Sequence, residues 1–387
     1  MAGCLCKKPK VLVPLVLVVA AACVVGVVLA RKHSQAYAPP PLAFDGPSDQ
    51  LKQTVIVPTL DTPMPAGKNV IWCASFQLAW NQFRDDVIGE PVKIEGAQEI
   101  ADRLNASTIT AAVLEPDDYY AKAGFVGTGT IEQIRAEMAA RFPGTEIPDL
   151  AFSGGDIAVA FGYVRATVPF RSLFYENRRP FEFRGVRVSS FGIREKDKDM
   201  WDPARRQVFV LYTSQKEGEP WSDNCEFAVD PCMYTDPYQI ILARMEPKAS
   251  LAETVAELER KMKDRPAMSY RLDEEEILLV PNLHFEIEHG FKQLEGENRA
   301  ILNPGHEGAW LARAWQTIYF RLDRAGAVLE SKAGMAMAAE PERRAFVFDR
   351  PFLILIQKRD DAADLSDSKL EPFFVMWVDN AELLCKR

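Results

Sequence analysis

The chain has 387 residues, of which 48% are apolar and 26% are charged, a balance typical of globular proteins with a large buried core. Its formal net charge is −9. Because residues 1–36 hold five of the 46 basic side chains and no acidic one, the rest carries 41 basic against 55 acidic side chains. An acidic body argues against nucleic acid and against anionic lipid as partners.

The first element is a predicted membrane segment. Val11–Ala30 contains no charged residue, is flanked by basic residues, and would span roughly 30 Å as a helix, the thickness of a bilayer's hydrocarbon core. We expect a transmembrane helix after a short basic stretch, 1–10, with the body anchored outside the cytoplasm in the periplasm or extracellular space. A cleaved signal is the alternative, since Val28-Leu29-Ala30 offers a small-residue cleavage site.

Residues 31–67 are predicted to be a tether, because 34–67 contain seven prolines, and 68–387 to be the folded domain. Asn69–Phe83 begins as a strand and turns into a helix, and Thr130–Phe142 repeats apolar residues at helical spacing. Further predicted elements are strands at Asp156–Phe170, Gln207–Ser214, Tyr238–Glu246, Glu275–Phe291 (broken at Pro281-Asn282), Trp315–Leu322, Phe346–Lys358 and Phe373–Val378, and a helix through Lys263 capped by Ser250. This order predicts an α+β fold with helices early and strands late.

Cysteines and histidines give little support for catalysis or metal binding. Cys73 and Cys385 lie in apolar runs and are expected to be buried thiols, while Cys225 and Cys232 leave both a disulfide and free thiols open. No Cys-x-x-Cys pair is present, and no sequence motif of a hydrolase, metalloprotease or nucleotide-binding protein occurs. We therefore expect no enzyme activity, no metal site and no cofactor.

The remaining polar candidates are interpreted as structural. His284 and His289 are an odd number of residues apart on one predicted strand, so they face opposite sides and cannot share a metal ion. His306 lies in a predicted turn, and Glu274–Glu276 is interpreted as a solvated surface run.

Four segments, in order, resemble the serpin family of protease inhibitors. Asn69–Ser75 resembles the strand that enters the family's second helix, and Asp156–Phe181 resembles its central strand and aromatic continuation. Tyr238–Leu258 resembles a strand leading into a Ser-Leu helix start, and Ala314–Asn380 resembles the C-terminal third. The resemblance implies a mostly antiparallel central sheet, N-terminal helices and a β-rich C-terminal half carrying an exposed reactive loop. Fewer residues precede the central strand than the family uses, so a shortened helical region is expected.

The resemblance places a loop hinge at Arg324, Gly326, Ala327 and Leu329. Arg324 stands where the family usually has an acidic residue, and Leu329 where inhibitors have small residues. The family's serine pair below the sheet is expected to be replaced by Cys73 and Phe76. Counting along the loop places the bond that a protease would cut near Glu340-Pro341. A bond before proline is cut poorly, so Met337-Ala338, Ala338-Ala339 and Arg343-Arg344 are further candidates.

Insertion of the cleaved loop as a strand would give its side chains two alternating faces. With Ala327 inward, the inward set is Ala327, Leu329, Ser331, Ala333, Met335 and Met337, without a charge. The sequence thus predicts an inhibitor of a serine or cysteine protease that acts by loop cleavage and insertion, inefficiently because Leu329 overfills a small slot. The alternative is a non-inhibitory binding or structural module on the same scaffold. Oligomeric state is left open.

Overall fold

Three β-sheets form most of the fold in this computed structural model. It describes residues 38–145, 157–193, 201–215, 221–264, 270–273, 275–327, 345–359 and 369–387. The strands in chain order are β1 (Phe44–Pro47), β2 (Thr54–Ile56), β3 (Asn69–Cys73), β4 (Tyr119–Phe125), β5 (Ile157–Val164), β6 (Val168–Pro169), β7 (Tyr175–Phe183), β8 (Val186–Ile193), β9 (Phe209–Thr213), β10 (Phe227–Asp230), β11 (Tyr238–Arg244), β12 (Tyr270–Arg271), β13 (Ile277–Pro281), β14 (Leu283–Gly290), β15 (Trp310–Asp323), β16 (Gly326–Ala327), β17 (Ala345–Val347), β18 (Phe352–Lys358) and β19 (Pro372–Val378).

Few helices accompany these sheets, and most lie in the first half of the chain. They are α1 (Ala74–Gln82), which continues as a π-helical turn at Phe83–Ile88, α2 (Gln98–Ala106), α3 (Thr130–Arg141), α4 (Pro203–Arg206) and α5 (Leu251–Lys263). The predicted cap of α5 is confirmed, since the hydroxyl of Ser250 accepts a hydrogen bond from the Glu253 N–H at 3.2 Å. The predicted α+β class is confirmed.

No helix within the described ranges is long and apolar enough to cross a membrane. The predicted segment Val11–Ala30 lies outside those ranges.

The first sheet is central to the site described below. β14 and β15 pair antiparallel, β15 and β5 pair parallel, and β5 and β4 pair antiparallel. One face packs on α1 through small residues of β5, Ala158 and Ala160, within the main core. The other face carries Phe161 and Trp315, which pack with α3 residues in a second apolar cluster. Both faces are therefore covered, which explains the continuous apolar run of β5.

The second sheet has the order β12-β9-β10-β11-β18-β19-β3-β2, and the third β17-β13-β8-β7. All seven residues of β19 are buried, as expected from its unbroken apolar run. The single strand predicted at Phe346–Lys358 is instead two strands, β17 and β18, in different sheets. Pro351 lies between them. Proline restricts its own backbone dihedral angles and those of the residue before it, which ends one strand and lets the chain change direction before the next.

Residues 44–56 differ from the predicted tether because they belong to the sheets. β1 pairs parallel with β14, and β2 pairs parallel with β3. The Glu382 carboxylate accepts hydrogen bonds from the N–H groups of Lys52 and Gln53, which joins this segment to the C-terminus. β1 and β2 are edge strands of their sheets, and edge strands tolerate proline. The many prolines of this segment are therefore compatible with strand pairing.

Candidate functional site

The candidate site is a gap between two parallel strands of the first sheet. β15 pairs with β5 from Trp310 as far as Thr317, which stands opposite Tyr163. Five residues further along each strand, Leu322 and Val168 no longer pair with each other. Both instead pair with Ala327 of a third strand that lies between them. Neighbouring strands are about 4.8 Å apart, so β15 and the β5–β6 segment diverge to about twice that distance. We call the space between residues 318–321 and 164–167 the strand gap.

The intervening strand is β16, the first two residues of the chain that returns from β15. Gly326 pairs with Asp323 on one side and with Pro169 on the other, while Ala327 pairs with Leu322 and Val168. Both pairings are antiparallel, because β16 runs back toward the start of β15. A strand that continued from Ala327 would thus run antiparallel to both walls of the strand gap.

The turn into β16 is fixed by backbone hydrogen bonds. The carbonyl of Arg324 accepts from the Phe174 N–H, and that of Ala325 from the Phe170 N–H, both at 2.9 Å. Gly326 has φ +130°, and a Cβ there would lie 2.4 Å from the Val168 carbonyl oxygen. Glycine is therefore required at this position by conformation and by close approach.

Next to the closed end of the strand gap, where Gln316 pairs with Gly162, the first turn of α1 contacts both parallel strands. A Cβ at Gly162 of β5 would lie 2.0 Å from the Ser75 carbonyl oxygen, so the helix touches the sheet backbone there. The Ser75 hydroxyl donates to Oε1 of Gln316 on β15 at 2.6 Å, and both side chains are fully buried. Nε2 of Gln316 has no hydrogen-bond partner among the described residues. Ser75 therefore links β5 and β15 through α1.

A buried ion pair lies at the end of β15. Nε of Arg321 lies 3.1 Å from Oδ2 of Asp323, and each side chain is at most 2% exposed. Burial raises the pKa of the Asp323 carboxyl to about 7, whereas the Ala325 N–H and the Arg324 charge act in the opposite direction. Burial also lowers the pKa of the Arg324 guanidinium.

Three of the hinge residues predicted from the sequence lie at this site. Arg324 occupies the turn, and Gly326 and Ala327 form β16. The other loop candidates lie outside the described residues: Leu329, Met337, Ala338, Ala339, Glu340, Pro341, Arg343 and Arg344. The chain is described again from β17 in the third sheet, so residues 328–344 connect the first sheet to the third.

Sequence reasoning missed two residues at this site. It expected Cys73 and Phe76 in place of polar residues below the sheet, but the structure places Ser75 there, bonded to Gln316. The missed residues are Ser75 and Gln316. Each is a polar residue inside an apolar run, and that pattern is the signal that could have identified them.

Among the residues that the structure describes, the other candidates form no second centre. The described residues contain no group of three or more His, Cys, Asp or Glu side chains placed to hold a metal ion. His284 contacts the Tyr319 hydroxyl and the Pro40 carbonyl, whereas His289 contacts the Ser48 hydroxyl.

The structure settles the state of the cysteines and corrects the predicted position of Glu276. Cys225 and Cys232, for which a disulfide was left open, are both free and buried, as are Cys73 and Cys385. Glu276, expected on the surface, is only 3% exposed. Its carboxylate accepts from the Tyr270 hydroxyl and from the Asp273 N–H, which compensates for its removal from water.

The sequence matches no protein-family profile and no curated protein. Among solved structures it is similar to Serpin48, a highly specific serpin of the insect Tenebrio molitor, with a TM-score of 0.42 and 11% identity over 80% of this chain and 91% of that chain. It is also similar to the mouse protein-Z dependent protease inhibitor, with a TM-score of 0.45 and 12% identity over 81% and 91% of the two chains. For human kallistatin the TM-score is 0.39 and the identity 14%, and this chain covers 64% of that structure. The fold is defined by the strand order and registers of the three sheets.

Proposed function

We propose that this protein is a serpin-like protease inhibitor whose loop, residues 328–344, is cut by the target protease and then enters the strand gap. The observation that carries the proposal is the position of β16. Its two residues, Gly326 and Ala327, already lie between β15 and β6. The strand that would insert is the direct continuation of β16, and its direction matches both walls.

Continuing the register of β16 gives the partners of each inserted residue. Ala327 stands opposite Leu322, so Leu329 would stand opposite Phe320 and Ser331 opposite Ile318. Leu322, Phe320 and Ile318 all face the main core. Because directly opposite residues share one face of a sheet, the uncharged inward set predicted from the sequence would face that core. The charged Glu330 and Lys332 would face the side of Tyr319 and Thr317, both of which are partly exposed.

The target protease would supply the covalent chemistry. Its nucleophile attacks the carbonyl carbon of the cut bond, the new amino terminus leaves, and an acyl-enzyme ester or thioester remains. The freed end of the loop can then move with β16 into the strand gap before water hydrolyses the acyl bond. Candidate bonds remain those near Glu340-Pro341, at Met337-Ala338 and Ala338-Ala339, and at Arg343-Arg344.

The stability of the nicked protein tests this proposal. The purified chain is cut within residues 328–344, and thermal melts of the cut and intact forms are compared. We expect a large upward shift of Tm, because an added strand brings hydrogen bonds on both edges and apolar burial. An unchanged or lower Tm would mean that the loop stays outside the sheet, and the proposal would fail.

A non-inhibitory binding module is the second candidate, and one observation favours it. The hydrogen bond from Ser75 to Gln316 must break or move if β5 separates from β15. Slow opening would let the protease complete hydrolysis and leave. If the strands do not open at all, the protein is a binding or structural module: cutting leaves Tm unchanged or lower, and no complex with protease survives denaturing electrophoresis.

We further propose that Val11–Ala30 anchors the protein in a membrane with the body outside the cytoplasm. Its support is the length and apolar character of the segment. Alkaline extraction of membranes, followed by protease digestion of intact cells, tests both parts. Release of the protein by alkali would contradict anchoring, and full protection of the body in intact cells would contradict its orientation.

A further inference from the structure

Exposed apolar side chains are concentrated on one surface of the protein, beside the turn into β16. Of the seven large apolar side chains that are exposed in the described part of the chain, four belong to this surface: Leu173, Tyr175, Trp201 and Tyr234. Trp201 is the most exposed of them, at 67%. Large apolar side chains that cluster at a surface mark interaction sites, whereas those scattered singly need no explanation.

Three arginines belong to the same surface and lie over its aromatic rings. The guanidinium carbon of Arg171 lies 5.0 Å from the centroid of the Tyr234 ring, and that of Arg271 lies 6.0 Å from it. The guanidinium carbon of Arg206 lies 5.1 Å from the centroid of the Trp201 ring. Such contacts orient a cation without neutralising its charge. We call this surface the aromatic–arginine patch and define it by Arg171, Leu173, Trp201, Arg206, Tyr234 and Arg271.

Hydrogen bonds fix the backbone beneath the two halves of the patch. The Ser172 N–H donates to Oε1 of Gln207 at 2.9 Å, and Nε2 of the same amide donates to the Ser172 carbonyl at 2.7 Å. Each of these two residues directly follows an arginine of the patch. The Gln207 carbonyl also accepts from the N–H of Met233, the residue before Tyr234, at 2.9 Å. The two halves are therefore held side by side.

The charges of the three arginines are not compensated by the protein. Within the described part of the chain, their guanidinium groups make no ion pair and donate no hydrogen bond. Asp202, next to Trp201, is engaged elsewhere, because its carboxylate accepts from the Tyr175 hydroxyl and from the Ala204 N–H, both at 2.9 Å. Outside residues 1–36 the chain has 41 basic against 55 acidic side chains. The patch is thus a locally basic surface on an acidic body, and it attracts negative charge.

The residue types of the patch indicate which class of anion it fits. Arginine, tryptophan and tyrosine are enriched in protein–protein interfaces and among the side chains that dominate their binding energy, whereas lysine is depleted there. The patch has all three of the enriched types and no lysine. Arginine also binds a carboxylate through two parallel hydrogen bonds, a geometry that lysine cannot form. These residue types favour an acidic protein segment over a polyanion that binds by charge alone.

We propose that the aromatic–arginine patch binds an acidic segment of a partner protein, in which carboxylates alternate with apolar side chains. Carboxylates of the segment accept hydrogen bonds from Arg171 and Arg271 at the Tyr234 ring. Its apolar side chains pack against Leu173 and against Trp201. None of these residues lines the strand gap, so this binding does not depend on loop insertion.

Two short fluorescein-labelled peptides are matched probes, because one repeats Glu-Leu-Asp and the other Gln-Leu-Asn, so that they differ in charge but not in apolar content. Each is titrated with the full chain, and fluorescence anisotropy measures the binding. We expect the acidic peptide to bind with a Kd of about 100 μM or tighter, and the neutral peptide at least about tenfold more weakly. A third peptide, of repeated Glu-Ser-Asp, keeps the charge without the apolar side chains and should bind at least about fivefold more weakly.

Variants locate the binding on the patch. Arg171→Gln should weaken the acidic peptide about tenfold, the effect of one hydrogen bond to a charged group. Trp201→Ala should weaken it about fivefold, because apolar contact is lost. Arg187→Gln is the control, since this arginine of β8 has a side chain that is 72% exposed and lies outside the patch, and it should leave the affinity unchanged. All three changes are at the surface, so the variants should melt like the parent.

The proposal fails if the acidic peptide shows no saturable binding, or if the neutral peptide binds equally well. It also fails if Arg171→Gln and Trp201→Ala both keep the affinity of the parent, because the peptide would then bind elsewhere. Dextran sulfate that binds more tightly than the acidic peptide, and loses affinity in Arg171→Gln, would identify a site for sulfated polymers instead. A dimer in sedimentation that Arg171→Gln abolishes would identify a second copy of this chain as the occupant.

Discussion

The hydroxyl of Ser75 donates to Oε1 of Gln316 at 2.6 Å, across a sequence separation of 241 residues. Ser75 lies in the helix that touches Gly162 of β5, and Gln316 lies on β15. This single bond therefore joins, through α1, the two parallel strands that must separate for another strand to enter. Both side chains are fully buried, so breaking the bond without replacing it is unfavourable.

Replacing Ser75 with Ala should lower the free energy of unfolding of the intact protein by about 1–3 kcal/mol, because Gln316 is left buried without a partner. In the cut protein we expect a smaller loss, since insertion has already displaced the bond. Urea unfolding of both forms measures the difference. Ser222→Ala, at an exposed serine, is the control. An equal loss in the two forms would show that cutting does not disturb this contact.

Replacing Leu329 with Ala should increase the fraction of protease held as a covalent complex. In the continued register Leu329 would stand opposite the buried Phe320, where an oversized side chain costs about 1–3 kcal/mol. Denaturing electrophoresis after mixing with a trypsin-like or elastase-like protease measures the trapped fraction. Val328→Ala changes a residue of the opposite face and should have little effect. No gain from Leu329→Ala would count against limitation by this side chain.

Replacing Gly326 with Ala should remove β16 from between β15 and β6. The new Cβ would lie 2.4 Å from the Val168 carbonyl oxygen, at a φ of +130°. Gly305 is a matched control, because its φ is +83° and nothing lies within 4 Å of an added Cβ. We expect Gly326→Ala to lower Tm more than Gly305→Ala and to reduce the rise in Tm after cutting, measured by calorimetry. Equal effects would mean that backbone strain alone, about 1–3 kcal/mol, accounts for the loss.

Acid should destabilise the protein partly through His289. Burial, with a smaller effect of Lys292, lowers the pKa of this histidine to about 4, compared with about 6.5 in an unfolded chain. The folded state therefore favours the neutral ring, and the unfolded state binds the proton first. The contribution of the neutral His289 ring to the free energy of unfolding is fully present above pH 6.5. It is lost as the pH falls toward 4, and the loss is at most about 3 kcal/mol.

His289→Asn tests this pH dependence. The variant should lose less stability than the parent between pH 7 and pH 4.5, measured by urea unfolding at a series of pH values. A residual slope is expected, because burial also lowers the pKa of His284. Identical slopes for the variant and the parent would contradict the assignment to His289.

Truncation distinguishes the tether from the folded body. A chain that begins at residue 38 should melt like the full chain, whereas one that begins at residue 68 should lose at least about 4 kcal/mol or fail to fold. The second truncation removes β1, β2 and the groups that bond to Glu382. Thermal melts of the two chains measure the difference. A residue-68 chain that melts within a few degrees of the longer one would show that these edge strands contribute little.

Local patterns in the sequence were sufficient for many elements. The change from strand to helix at Cys73–Ala74, the helix capped by Ser250 and the break at Pro281-Asn282 all follow from residues close together in the chain. The buried strands β18 and β19 likewise follow from unbroken apolar runs. Hydrophobic periodicity, caps and prolines act over a few residues, so the sequence alone determines what depends on them.

Which distant groups meet depends on the packed fold and not on local sequence. Pairing placed residues 44–56 in two sheets, burial made Glu276 an internal acceptor, and the packing of α1 brought Ser75 to Gln316. The position of β16 between β15 and β6, on which the proposed function rests, likewise depends on β6, more than 150 residues earlier. Strand partners and buried hydrogen bonds are chosen among groups far apart in the chain, and no local pattern encodes that choice.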